Sequence, residues 1–82
     1  MAQFHYVITD EVGIHARPAG LLVKEAKAAG CKVMISKGEK SADATKLMAV
    51  MSLGVKKGDE VTVSADDEEV LAAMKKFFEE NL

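Results

Sequence analysis

The stretch Gly13-Ile14-His15-Ala16-Arg17-Pro18-Ala19-Gly20 (GIHARPAG) marks where one kind of structure must give way to another. It holds one of two histidines, an arginine and the only proline of the 82-residue chain. Pro18 lacks an amide hydrogen and has a fixed φ, so within a helix it fits only the first turn. A helix therefore has to begin very near His15. Before this stretch, Phe4, Tyr6 and Ile8 alternate with His5, Val7 and Thr9. That period of two, carried by aromatic and β-branched residues, predicts a strand. After it, Ala19, Leu22, Val23 and Ala26 recur at helical spacing through Ala29, and Gly30 is the stop. Strand, loop over Asp10–Gly13 and helix follow from this one reading.

The rest of the chain extends the pattern. Cys31, Val33 and Ile35 alternate as a second strand, and Lys37-Gly38-Glu39-Lys40 reads as a hairpin turn. A short third strand is expected around Ser41–Ala44, then a helical stretch over Thr45–Leu53 ended by Gly54. Lys57-Gly58-Asp59 is another turn. Val61, Val63 and Ala65 alternate with Thr62 and Ser64 as a fourth strand. Asp66-Asp67-Glu68-Glu69 puts acid at a helix start, where the macrodipole favours it. Val70, Leu71, Met74, Phe77 and Phe78 mark the apolar face of that last helix. The order β-α-β-β-α-β-α predicts one α+β domain over residues 1–82, with helices on one face of a four-stranded sheet.

Composition narrows the function. Half the residues are hydrophobic (49%), 29% are charged and the formal net charge is −2. No basic excess points to nucleic acid. A chain this short has no room for a deep cleft, so any chemistry is expected at a surface completed by a partner. The lone Cys31 reads as a small buried or half-buried thiol. His5 and His15 lack clustered carboxylates, so no metal site or cofactor is expected. Gly54 and Gly58 flank Lys56-Lys57, but not at the spacing of a phosphate-binding loop. No leader and no run of ~18 apolar residues is seen, so a cytoplasmic protein without membrane insertion is expected.

His15 stands out by its context. It lies at or next to a helix N-cap, where backbone amides are unsatisfied and the field favours anions and a neutral imidazole. Arg17 adds a planar cation suited to phosphate oxygens. Gly13 lets the loop turn sharply and leaves the ring uncrowded. These features suit a histidine that accepts a phosphoryl group and passes it on, since that transfer needs mainly positioning and charge stabilisation. They suit equally a histidine cap with an exposed arginine nearby. A second signal is Lys46-Leu47-Met48-Ala49-Val50-Met51-Ser52-Leu53-Gly54. If Leu47, Val50 and Leu53 or Gly54 face inward, Met48 and Met51 reach the surface. Leu21, beside Gly20 and Lys24, also lies off the inward stripe of its helix. This pattern is either a wide buried face or an apolar docking patch around the histidine.

GIHARPAG together with KLMAVMSLG, in a chain of this element order, resembles the histidine-containing phosphocarrier (HPr) family of the bacterial phosphoenolpyruvate-dependent sugar phosphotransferase system. The resemblance covers essentially the whole chain. It implies an open-faced β-sandwich, a four-stranded antiparallel sheet under three helices. It implies that His15 takes a phosphoryl group on Nδ1 from phosphorylated enzyme I and yields it to the EIIA domain of a sugar permease. Arg17 would steady the group, helped by the backbone amides of Ala16 and Arg17. Gly20, Leu21, Lys24, Leu47, Met48 and Met51 match positions that meet partners in the family. Such a protein is a monomeric carrier with a phosphohistidine intermediate rather than an enzyme turning over a free substrate. Two positions depart from the family pattern. Lys46 stands where many members carry a kinase-regulated serine, and Thr45 is one position early and not an obvious substitute. Val12 stands where a small polar residue is common, which removes one hydrogen bond to the phosphohistidine. A docking module without relay is the competing class, but such members lack the histidine that is present here. A nitrogen-type branch would keep the chemistry and change the partners.

Overall fold

The computed structural model describes residues 2–82. Seven elements run β1 (Ala2–Val7), α1 (Ala16–Ala28), β2 (Val33–Lys37), β3 (Lys40–Asp43), α2 (Leu47–Ser52), β4 (Glu60–Ala65) and α3 (Glu68–Asn81). The strands form one antiparallel sheet in the order β1-β4-β2-β3. The register stacks inward residues across it: Phe4 faces Val63, which in turn faces Ile35, which faces Ala42. The three helices cover one face of this open sheet, the α+β arrangement expected from the alternations.

The core forms where these patterns meet. Ala19, Leu22 and Ala26 of α1, Val33, Ile35, Val61 and Val63 of the sheet, and Met74 and Phe78 of α3 are nearly inaccessible. Phe78 meets Phe4, Tyr6 and Phe77 edge-to-face, with centroids 5.6–6.0 Å apart. Such pairs add about 0.5–1.5 kcal/mol each beyond their buried area. This cluster fixes α3 on β1, and so fixes the far end of α3 near the chain that leaves β1. The start of α3 is set by Asp67, whose Oδ1 accepts the Glu69 amide at 2.8 Å and the Val70 amide at 3.4 Å.

Element ends differ from the sequence reading by a residue or two, for local reasons. The second helix starts at Leu47 rather than Thr45. Asp43 Oδ1 accepts the Thr45 hydroxyl at 2.6 Å and its amide at 2.9 Å, while the Asp43 carbonyl accepts the Lys46 amide at 3.0 Å. Those bonds hold a turn where the helix would have begun. Ala44 lies beyond β3 yet still donates its amide to Val33 at 2.9 Å. Cys31 precedes β2 as a half-buried free thiol, as its type suggests.

Candidate functional site

The site is built at the junction of the β1–α1 loop with α1. His15 is the N-cap, in an extended conformation, and its side chain makes no cap hydrogen bond. Its carbonyl accepts the Ala19 amide at 2.9 Å, the first bond of the helix. Pro18 has no amide hydrogen. The amides of Ala16 and Arg17 therefore open the helix end to solvent, and no acidic residue occupies the first turn. Pro18 and Ala19 are buried beneath a half-exposed His15 and an exposed Arg17. The arrangement presents two amides, a guanidinium and an uncommitted imidazole on one small surface.

The loop before His15 is held tightly. Gly13 has φ +81° and lies against the chain at Val55–Lys56. A Cβ there would stand 2.7 Å from Lys56 Cα and would collide with the Val55 carbonyl. The next residue, Ile14, is buried and donates its amide to that same carbonyl at 3.1 Å. Asp10 Oδ1 accepts the amides of Val12 at 2.9 Å and Gly13 at 3.3 Å. The Leu82 carbonyl accepts the Thr9 and Asp10 amides at 2.6 and 2.8 Å, and the Thr9 hydroxyl at 2.9 Å. His15 and Arg17 share a shallow depression of about 260 Å³ with Asp10, Pro18, Leu21, Glu80 and Asn81. A hollow of about 380 Å³ between α1 and α3 is lined by Glu25, Asp67 and Glu69, and holds neither histidine nor arginine.

Other expected residues fall into two groups. Leu21 is 41% exposed, Leu47 40% and Met48 76%, while Gly20 and Met51 are half-buried and Lys24 is exposed. They lie on α1 and α2, which pack together. Of the inward trio Leu47, Val50 and Leu53, the structure buries Val50 and Leu53 and leaves Leu47 outward. Lys46 is the exposed N-cap of α2 and caps it with no side-chain bond. The Thr45 hydroxyl bond, then the Thr45 amide, hold the Asp43 carboxyl below its ordinary range. Val12 is 62% exposed. His5 lies on the outer side of the sheet, its Nδ1 2.8 Å from the Thr62 hydroxyl, well separated in role from His15. Among the described residues no cluster of histidine, cysteine and carboxylates could hold a metal, and no helix is long and apolar enough to cross a membrane.

Sequence reasoning missed Thr9, Asp10 and the end of α3 as parts of this site. Asp10 was visible in principle, because an Asp followed three residues on by Gly is a common side-chain-stabilised turn. Leu82, at the far end of the chain, left no local signal.

Comparison with known proteins gives this geometry its class. The family model for the phosphotransferase-system HPr component phosphorylation site matches residues 2–80. Phosphocarrier protein HPr of Mycoplasma capricolum is 44% identical over 66 residues, 80% of this chain and 74% of that protein. A solved HPr from Thermoanaerobacter tengcongensis superposes with TM-score 0.90 at 35% identity, covering 96% of this chain and 92% of that one. An HPr dimer from the same organism gives TM-score 0.75 at 35% identity, covering 98% and 95%. A small α+β domain with an open antiparallel sheet and a histidine at a helix start is the architecture of a phosphocarrier. This chain belongs to the HPr family of the phosphotransferase system.

Proposed function

We propose that this phosphocarrier takes its phosphoryl group on His15 Nδ1 from phosphorylated enzyme I and delivers it to EIIA domains of sugar permeases. The observation that supports this most is the open end of α1, where His15 is the N-cap and its side chain makes no cap bond. In the first step the Nδ1 lone pair forms the new N–P bond while the donor's bond to phosphorus breaks. In the second, an EIIA nucleophile attacks the same phosphorus and the imidazole regains its lone pair. Arg17 and the Ala16 and Arg17 amides meet the charge on the phosphoryl oxygens at both steps. Val12 offers no side-chain hydrogen bond, so those groups bear the stabilisation.

The docking surface in this reading is Gly20, Leu21, Lys24, Leu47, Met48 and Met51. The protein is one carrier domain over residues 1–82, working in the cytoplasm as a monomer, although the Thermoanaerobacter relative shows that an HPr can be a dimer. Lys46 replaces the regulatory serine and removes control by a serine kinase. The test is intact mass at mildly alkaline pH after mixing with phosphoenolpyruvate and a bacterial enzyme I. One acid-labile phosphoryl group is expected, absent in His15→Ala and slowed in Arg17→Ala by up to about a hundredfold. An acid-labile adduct on His15→Ala refutes the site assignment.

A further inference from the structure

The loop that presents His15 is anchored from the other end of the chain. Leu82 is buried, at 3% exposure, and its backbone oxygen is held against the loop. That oxygen accepts the Thr9 amide, the Thr9 hydroxyl and the Asp10 amide, at 2.6, 2.9 and 2.8 Å. Asp10 then passes the constraint forward. Its Oδ1 accepts the Val12 amide at 2.9 Å and the Gly13 amide at 3.3 Å, and its carbonyl accepts the Gly13 amide at 3.1 Å. From Gly13 the chain is held by Val55 and enters α1 through His15. Asp10 is therefore the link between the fixed end of α3 and the two residues that precede Ile14 and His15.

We propose that Asp10 is a positioning residue for phosphoryl transfer, acting as a hydrogen-bond acceptor and not as a charge. The inference rests on the reading of His15 as the phosphoryl acceptor. Asp10 lines the same depression as His15 and Arg17, yet the ion pair among the described residues is Lys37–Asp59, at 3.0 Å. Its carboxylate is committed to backbone amides instead. The Asp10 carbonyl still holds the Gly13 amide when the side chain is lost, but no neighbouring side chain can replace the acceptor for Val12: Val12 is apolar and 62% exposed, and Glu11 is exposed. Gly13, at φ +81°, is the residue whose freedom most needs restraint. Loss of the side-chain bonds lets the loop carry His15 out of line, and a displacement of about 1 Å is enough to cost up to about a hundredfold in rate.

Asp10→Ala removes the acceptor, whereas Asp10→Asn keeps an oxygen in the same place and removes the charge. The two variants and the wild type are compared as substrates of enzyme I with phosphoenolpyruvate, reading kcat and KM separately. Asp10→Ala is expected to lower kcat about tenfold or more with KM little changed, since the docking surface is untouched. Asp10→Asn recovers most of kcat. Wild-type kcat in Asp10→Ala, or Asp10→Asn as slow as Asp10→Ala, overturns the inference. A wild type that accepts no phosphoryl group refutes the carrier reading instead. The positioning role is then decided by NMR: the His15 ring signals and the Val12 and Gly13 amide exchange rates must shift in Asp10→Ala and return in Asp10→Asn.

Discussion

Replacing Gly13 with alanine tests the fold and the site together. Gly13 sits at φ +81°, where an L-residue pays about 1–2 kcal/mol. The added Cβ would lie 2.7 Å from Lys56 Cα and collide with the Val55 carbonyl. Both neighbours are backbone, so no side chain can swing aside. Relief requires the loop to move, which breaks the 3.1 Å bond from the Ile14 amide to Val55 and costs about 1 kcal/mol more. The sum is about 2–3 kcal/mol. At about 4–8 °C per kcal/mol for a domain of this size, the melting temperature should fall by about 8–24 °C. Gly54→Ala is the control: its φ is +64°, and nothing lies within 4 Å of a Cβ there. It carries only the backbone term, a fall of about 4–8 °C for each kcal/mol. Thermal melts followed by circular dichroism give both numbers. If Gly13→Ala melts no lower than Gly54→Ala, the close approach of the loop to Val55 is wrong, and with it this account of how His15 is placed.

Three other outcomes are expected. Gly20→Ala meets no atom within 4 Å and lies inside α1, so it should stabilise by about 0.5–1 kcal/mol. On the proposed docking surface it should also raise KM for enzyme I, and a higher melting point with unchanged KM would remove Gly20 from that surface. Met48→Ala, at a site 76% exposed, should change stability by less than about 0.5 kcal/mol while raising KM severalfold. Urea midpoints measured at falling pH should show an acid limb set by two carboxylates. The Thr45 bonds hold Asp43, and the Lys37 and Lys56 bonds hold Asp59, below the ordinary 3.8. Depressed values mean that the stability they supply is complete above 3.8 and is lost as pH falls beneath it. Asp43→Asn with Asp59→Asn should flatten that limb, and an unaltered limb would assign the acid loss elsewhere.

The parts of the fold visible in the sequence were those with a local cause. Pro18 could stand only in a first helical turn, and that placed His15 at the cap where it is found. The alternation through Phe4, Tyr6 and Ile8 put the aromatic face inward, where Phe78 meets it. The second helix was less legible. A turn closed by Asp43 onto Thr45 competes with helix over those residues, and a period of 3.6 says nothing about which side chain will bond to which amide. At the site, His15 and Arg17 carried chemical signals of their own. The Leu82 carbonyl did not, because it reaches Thr9 and Asp10 across nearly the whole chain through backbone atoms that every residue possesses.

The same distinction bears on how a carrier of this kind would meet its partners. On the proposed reading, the protein must release enzyme I about as readily as it finds it, or the relay stalls. Affinity between related complexes is tuned mostly through the off-rate, and large buried anchors slow it. On α1 and α2 the exposed large apolar side chains are few: Leu21, Leu47 and Met48, two of them only about 40% exposed. Around them stand exposed Arg17, Lys24 and Lys46. On that reading, a small apolar patch flanked by these cations, with Asp10 and Glu80 beside Leu21, suits fast encounter and short residence rather than tight docking. Lys46 places one of those cations at the start of α2, and the hydroxyl beside it, Thr45, is already donated to Asp43 at 2.6 Å. The start of α2 therefore carries an exposed lysine, and the neighbouring hydroxyl is engaged within the chain. On the proposed reading, that lysine favours a relay whose docking is not switched at this position.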